Sequence, residues 1–150
     1  MTAIVNKIFD RLENNGVLKN ILLFLMRLIL AYGFYTPAIN KWQNMEGIVE
    51  WFTELGIPLP GVNAYLSATT EIAGVALLTL GLATRIISIP LIVVMLVAIV
   101  TVHLPNGFEA GNNGFEIPLY YILLLLTLIN FGPGKFSLDN FLSKKQTPHN

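Results

Sequence analysis

Long apolar runs alternate with short polar breaks along the chain. The runs at 21–38, 65–82, 86–102 and 117–131 hold 15 to 18 residues each, against the roughly 17–25 that a helix needs to cross a bilayer. Flanking aromatic and small residues extend the shorter ones. A water-soluble helical bundle shows polar stripes at a 3.6-residue period, and positions 91–102 and 120–129 show none. The pattern predicts an all-α membrane protein: a four-transmembrane-helix bundle with interfacial helices at the N-terminus and in the outer loop.

The breaks differ in character. In residues 1–16, Ile4, Val5, Ile8, Phe9 and Leu12 fall at helical spacing with Lys7, Asp10, Arg11 and Glu13 between them, which suits a helix lying in the interface. The apolar run that follows has no small-x-small cleavage site, so it reads as a permanent anchor rather than a signal peptide. Residues 81–85 make a tight turn in which Gly81 suits a left-handed cap and Thr84 suits capping the next helix; the spans on either side are then antiparallel neighbours. In the first outer loop, Ile48, Trp51, Phe52 and Leu55 share one face and Glu46, Glu50 and Glu54 lie elsewhere, which predicts a surface helix over 45–55 stopped by Gly56. Residues 57–60, Ile-Pro-Leu-Pro, are expected to run extended, because a residue before proline avoids the helical region.

The second outer loop carries Asn-Gly-Phe-Glu twice, at 106–109 and 113–116. Asn-Gly favours tight turns, so the repeat is either two similar turns or a pair of equivalent carboxylates offered to one ligand. Pro118 suits the first turn of the fourth span. Gly132 to Gly134 breaks that helix, and the segment beyond is expected to lie on the interface. The membrane domain is thus 17–142, followed by a polar tail, 143–150.

Composition narrows the chemistry. Hydrophobic residues make up 54% and charged residues 12%, half the roughly 25% charged of a soluble domain. Net charge is zero, so there is no basic field for nucleic acid. The chain has no cysteine, which excludes disulfide exchange and thiolate chemistry by its own residues. Seven of its nine basic residues (Lys7, Arg11, Lys19, Arg85, Lys135, Lys144, Lys145) fall on one side of the predicted spans. By the positive-inside rule both termini are expected in the cytoplasm, the protein crossing a bacterial-type inner membrane.

Ionisable residues within spans are costly and usually face the protein interior. Arg27 lies six residues into the first span and Glu71 six residues into the second, each about 9 Å from its end at 1.5 Å per residue. Extended side chains then just meet: as an ion pair fixing register, or as two walls of an internal polar site. Arg27 has a third course, snorkelling to the near interface. Toward the outer side, each span adds polar groups: Tyr35 and Lys41, Glu71, His103, then Glu116 and Tyr120. Roofed by the Trp51 helix, Arg27, Tyr35, Lys41, Glu71, His103, Glu116 and Tyr120 are the candidate ligand-binding set, as bundle sites are built from facing side chains. Taken singly, several are ordinary interface residues. One histidine near the spans makes a metal site weak.

Several features together resemble the DoxX family of small four-span membrane proteins. They are Arg27 with Gly33 and Lys41, Gly56-Ile-Pro58, Glu71 with Gly74, Gly81-Leu-Ala-Thr-Arg85, and Gly132-Pro-Gly-Lys-Phe-Ser-Leu-Asp139. The stretches Glu50-Trp-Phe and Gly111-Asn-Asn-Gly-Phe-Glu-Ile-Pro-Leu-Tyr-Tyr121 look most like a subgroup tied to maturation of copper-binding ribosomal peptides. The resemblance implies Arg27, Lys41, Glu71 and Arg85 as characteristic positions, without catalytic roles. It also implies a link, in some relatives, to quinone-using oxidoreductases.

Three functions follow as expectations. The first is an auxiliary subunit of a quinone-linked redox system, with electrons supplied by a partner, since this chain offers proton carriers only. The second is a non-enzymatic accessory in maturation or export of a partner such as a copper-binding peptide. The third is a small transporter, which with four short spans would need to form a homo-oligomer.

Overall fold

The structure, a computed structural model, describes residues 16–145. The amphipathic segment expected at 1–16, apart from Gly16 itself, and the tail from 146 lie outside the described residues. All regular elements among the described residues are helices: α1 (Gly16–Gln43), α2 (Met45–Glu54), α3 (Pro60–Leu80), α4 (Thr84–Ala98), α5 (Glu116–Phe131) and α6 (Leu138–Lys145). The helical path of α4 continues through a π-helical turn, Ile99–His103, and a 3-10 turn, Leu104–Asn106. Two helices are long and apolar enough to cross a membrane, Gly16–Gln43 with 28 residues and Thr84–Asn106 with 23. The four apolar runs fall in α1, α3, α4 with its extension, and α5; only Gly81 and Leu82 lie past a helix end.

Each long helix buries a stripe at spacings of three and four residues, the geometry of one helix face. On α1 it is Asn20, Leu23, Arg27, Leu30, Ala31, Phe34 and Ala38; on α3 it is Ala64, Ala68, Glu71, Gly74 and Leu78. Thr84, Ile87, Ser88 and Leu91 are the inward positions of α4, and Pro118, Ile122, Leu125 and Leu128 those of α5. α1 packs chiefly on α3, α4 packs chiefly on α5, and α3–α4 and α1–α5 contacts close the ring. Leu30, Phe34, Leu78, Leu91, Leu125 and Leu128 meet at its centre. The outward faces are also apolar, with Val93, Val100, Leu123 and Leu126 exposed. A surface of that kind belongs in lipid, where helices associate by packing and small residues. Gly74 shows the need: a β-carbon there would press into the Leu91 side chain at 2.9 Å.

The two ends of the bundle are built differently. At the loop end, α2 turns back onto α3, burying Phe52, Ile57 and Ala64 among Met45, Ile48, Val49 and Leu55. Asn44 caps α2 by accepting from the Gly47 N–H, and Gly56, at φ +71°, ends it as expected. The run 57–60 is not extended throughout. Leu59 is left-handed (φ 47°, ψ 58°), and its carbonyl accepts from the Asn63 N–H at 3.1 Å. That conformation reverses the chain in few residues and sets Pro60 at the start of α3.

At the other end, a clasp forms from the segment after α5. Gly81 takes the left-handed cap expected of it, φ +66°. Thr84 does not cap α4; it is the first helical residue, behind a left-handed Ala83. The cap comes from Asp139 of α6, whose two carboxylate oxygens accept from the Ala83 N–H at 2.9 Å and the Thr84 N–H at 3.2 Å. The Asp139 N–H in turn donates to the Gly81 carbonyl at 3.1 Å. A carboxylate at a helix N-terminus meets both its orphan donors and its positive dipole end.

Candidate functional site

Lys41 and Glu71 form the ion pair of the bundle. Lys41 closes the last turn of α1, and Glu71 stands midway along α3 on its buried stripe. The Lys41 ammonium donates to both carboxylate oxygens of Glu71 at 2.7 Å. Their side chains are 14% and 2% exposed, so the pair is largely shielded from bulk solvent, Glu71 almost wholly. An ion pair at that depth needs both partners, because either charge alone bears the full desolvation cost. Ala68 and Ala64, one and two turns earlier on α3, are fully buried.

Arg27 does not meet Glu71. It lies toward the clasp end of α1, fully buried, and donates to the Leu78 carbonyl at 3.0 Å and to the Phe136 carbonyl. Leu78 belongs to the last turn of α3, where its carbonyl takes only a long bond from the Gly81 cap N–H at 3.3 Å and the helix dipole is negative. A planar fork of donors suits two carbonyls on different segments. Arg27 therefore neither snorkels nor pairs with a carboxylate; it joins α1, α3 and the segment leading to α6.

The other candidates separate as well. Tyr35 points outward and is half exposed; with Tyr32, Ala31 and Val75 it lines a groove of about 250 Å³ between α1 and α3. His103 ends the π-helical turn, its Nδ1 2.8 Å from the Asn113 carbonyl. Glu116 accepts from the Ala110 N–H at 3.0 Å and from the Tyr120 hydroxyl at 2.9 Å. The Ala110 N–H and then the Tyr120 hydroxyl hold this exposed carboxyl, which precedes the apolar run of α5, below the ordinary carboxylate range. These three residues brace the second loop, their hydrogen bonds running within it and the start of α5 rather than to Arg27, Lys41 or Glu71 among the described residues.

The loop repeat resolves into structure of unequal halves. Its copies pair along the backbone, Phe115 N–H to the Gly107 carbonyl at 3.1 Å and Glu116 N–H to the Phe108 carbonyl at 3.0 Å. Phe108 and Phe115 stack edge to face at 5.4 Å. Glu116 is spent on the Ala110 N–H and the Tyr120 hydroxyl, whereas Glu109 accepts from Asn112 at 3.3 Å. The two carboxylates are not equivalent.

The profile of the DoxX family matches residues 22–104, a stretch that holds Arg27, Lys41, Glu71 and Arg85. The chain belongs to the DoxX family. Among curated relatives, it is 37% identical over 123 residues to a Bacillus subtilis (strain 168) protein named "Putative oxidoreductase CatD", covering 80% of this chain and 86% of that one. It is 34% identical over 134 residues to the Mycobacterium tuberculosis (strain ATCC 25618 / H37Rv) membrane protein Rv3486, covering 81% and 82% of the two chains. Identity to the inner membrane protein YphA of Escherichia coli (strain K12) is 27% over 134 residues, covering 83% and 92%. No solved structure matches the chain. This DoxX-family chain is an all-helical membrane protein.

Two clasp residues escaped the candidate set. Asn20 accepts from the Lys135 N–H at 2.6 Å, and Asp139 caps α4. Asp139 stood in the motif shared with the family, but its use as a cap from a different helix has no local signature.

Proposed function

We propose that the chain is the membrane-embedded auxiliary subunit of a redox system, and that the Lys41–Glu71 pair is its proton-handling contact. The pair carries this reading: a carboxylate and an ammonium within 2.7 Å, shut away between α1 and α3, exchange a proton with a ligand more readily than with water. The name of the Bacillus subtilis relative supports the redox class. The substrate class that fits is a lipid-soluble quinone, whose reduction takes two electrons and two protons. The residues supply proton carriers, so electrons come from a partner protein or its cofactor. The groove beside Tyr35 lies between the same two helices, with Val75 one turn beyond Glu71 on α3. In this reading α1, α3, α4 and α5 all span a bacterial inner membrane, with the clasp end and both termini in the cytoplasm.

The test is quinone reduction by native membranes with the chain present, deleted, or carrying Glu71→Gln. Turnover that falls on deletion, and falls similarly with Glu71→Gln at equal protein level, supports the proposal. Turnover indifferent to deletion defeats it. The exposed face of α2, with Glu50, Trp51 and Glu54, then becomes the place to seek a partner whose maturation or export the chain assists.

A further inference from the structure

At the clasp end, a cavity of about 730 Å³ opens between the start of α1, the start of α4 and the segment that follows α5. Three cations line it, Lys19, Arg85 and Lys135, from three separate elements. Among the described residues the one carboxylate on its wall is Asp139, and both its oxygens are already taken by the Ala83 and Thr84 N–H groups. None of the three cations is in an ion pair among the described residues. Lys19 lies 4.6 Å from the Phe131 ring and Arg85 donates to the Asn130 carbonyl at 3.3 Å, contacts that orient both without neutralising them. The loop itself is held by the backbone N–H of Lys135 on Asn20, which leaves the ammonium without a partner among the described residues. The cavity's rim is apolar and exposed, Ile86 at 71% and Phe131 at 52%.

We propose that this cavity binds the phosphate diester headgroup of an anionic phospholipid. Clustered cations between helix ends at the membrane boundary favour a headgroup phosphate, because near-surface basic residues attract anionic lipid. A soluble phosphate would gain nothing from Ile86 and Phe131, whereas acyl chains lie along them as they leave the cavity. Reading α4 and α5 as spans sets the cavity at headgroup depth. The site is at the opposite end of the bundle from Lys41 and Glu71, so it stands independently of the redox proposal.

The experiment is native mass spectrometry of the full chain in detergent, titrated in parallel with phosphatidylglycerol and phosphatidylcholine of the same acyl chains. Phosphatidylglycerol should be retained at least several-fold more than phosphatidylcholine, and the preference should collapse in Lys19→Gln/Lys135→Gln, whose altered side chains are exposed and make no hydrogen bond among the described residues. Equal retention of the two lipids overturns the proposal. A preference that survives in the double variant also overturns it, since the cations would then not hold the headgroup. Inorganic phosphate is the third arm: if millimolar phosphate abolishes phosphatidylglycerol retention, the site takes a free anion and the lipid assignment fails.

Discussion

The guanidinium of Arg27 fills the space where a β-carbon on residue 81 would stand, with Ser137 closing the same space at 2.6 Å. Gly81 is thus doubly constrained, by its left-handed backbone at φ +66° and by the buried arginine beside it. Gly56 has a similar backbone, φ +71°, but open space around it. Gly56→Ala should therefore cost only the left-handed conformation, about 1 kcal/mol, within the roughly 1–3 kcal/mol range for such backbone strain. Gly81→Ala should cost clearly more, because Arg27 must move off the Leu78 carbonyl. Thermal unfolding of both variants in detergent measures the difference; equal losses would mean that Arg27 yields at no cost.

The Lys41–Glu71 pair makes an asymmetric prediction. Removing one partner strands the other charge in the interior, so Lys41→Met should destabilise by about 3–5 kcal/mol, the usual cost of breaking a buried pair. Replacing both, Lys41→Met with Glu71→Met, should recover much of that loss, since apolar substitutes of similar size often match a buried ion pair. A double-mutant cycle on unfolding midpoints reads the coupling. Additive losses would show that the two side chains do not depend on each other.

The membrane helices were legible in the sequence because uninterrupted apolar runs have few other uses. Their inward faces were not. Leu91 is buried against other helices and Val93 is exposed, yet both are apolar, and with both faces apolar the period that marks a buried stripe in a soluble protein disappears. Of the polar residues singled out in the spans, Lys41 and Glu71 meet each other. Arg27 went elsewhere because axial depth alone does not see a competing acceptor. The Leu78 carbonyl at the end of α3, and the Phe136 carbonyl far along the chain, were both within reach. Asp139 and Asn20 were silent for the same reason: their partners are backbone groups on distant segments, and backbone groups leave no mark in a sequence.

In the second loop, Glu116 ties Ala110 to Tyr120, and its pKa lies below the ordinary carboxylate value. A depressed folded-state pKa means that the contact contributes fully above the unfolded value and is lost as pH falls through the folded one. The Ala110 amide resonance should therefore shift only when the pH drops below the usual carboxylate range. Glu116→Gln should remove that titration at Ala110. An Ala110 resonance that still titrates with the same midpoint in Glu116→Gln would show that Glu116 is not the group behind the acid response.

Gly33 sets how closely α1 and α5 approach. A β-carbon at this position would run into the Tyr121 hydroxyl and its ring, whose Cε2 stands 2.8 Å away. The ring cannot swing freely, because it packs edge to face on buried Phe34 at 5.4 Å. Gly33→Ala should then destabilise by about 1–3 kcal/mol, the range for overpacking a filled interior. Tyr121→Phe in the same chain should restore only part of the loss, since it removes the hydroxyl and leaves the ring edge in place. Tyr121→Leu should restore more, although it gives up the contact with Phe34. Unfolding midpoints of the three variants order these effects, and full rescue by Tyr121→Phe would locate the whole conflict at the hydroxyl.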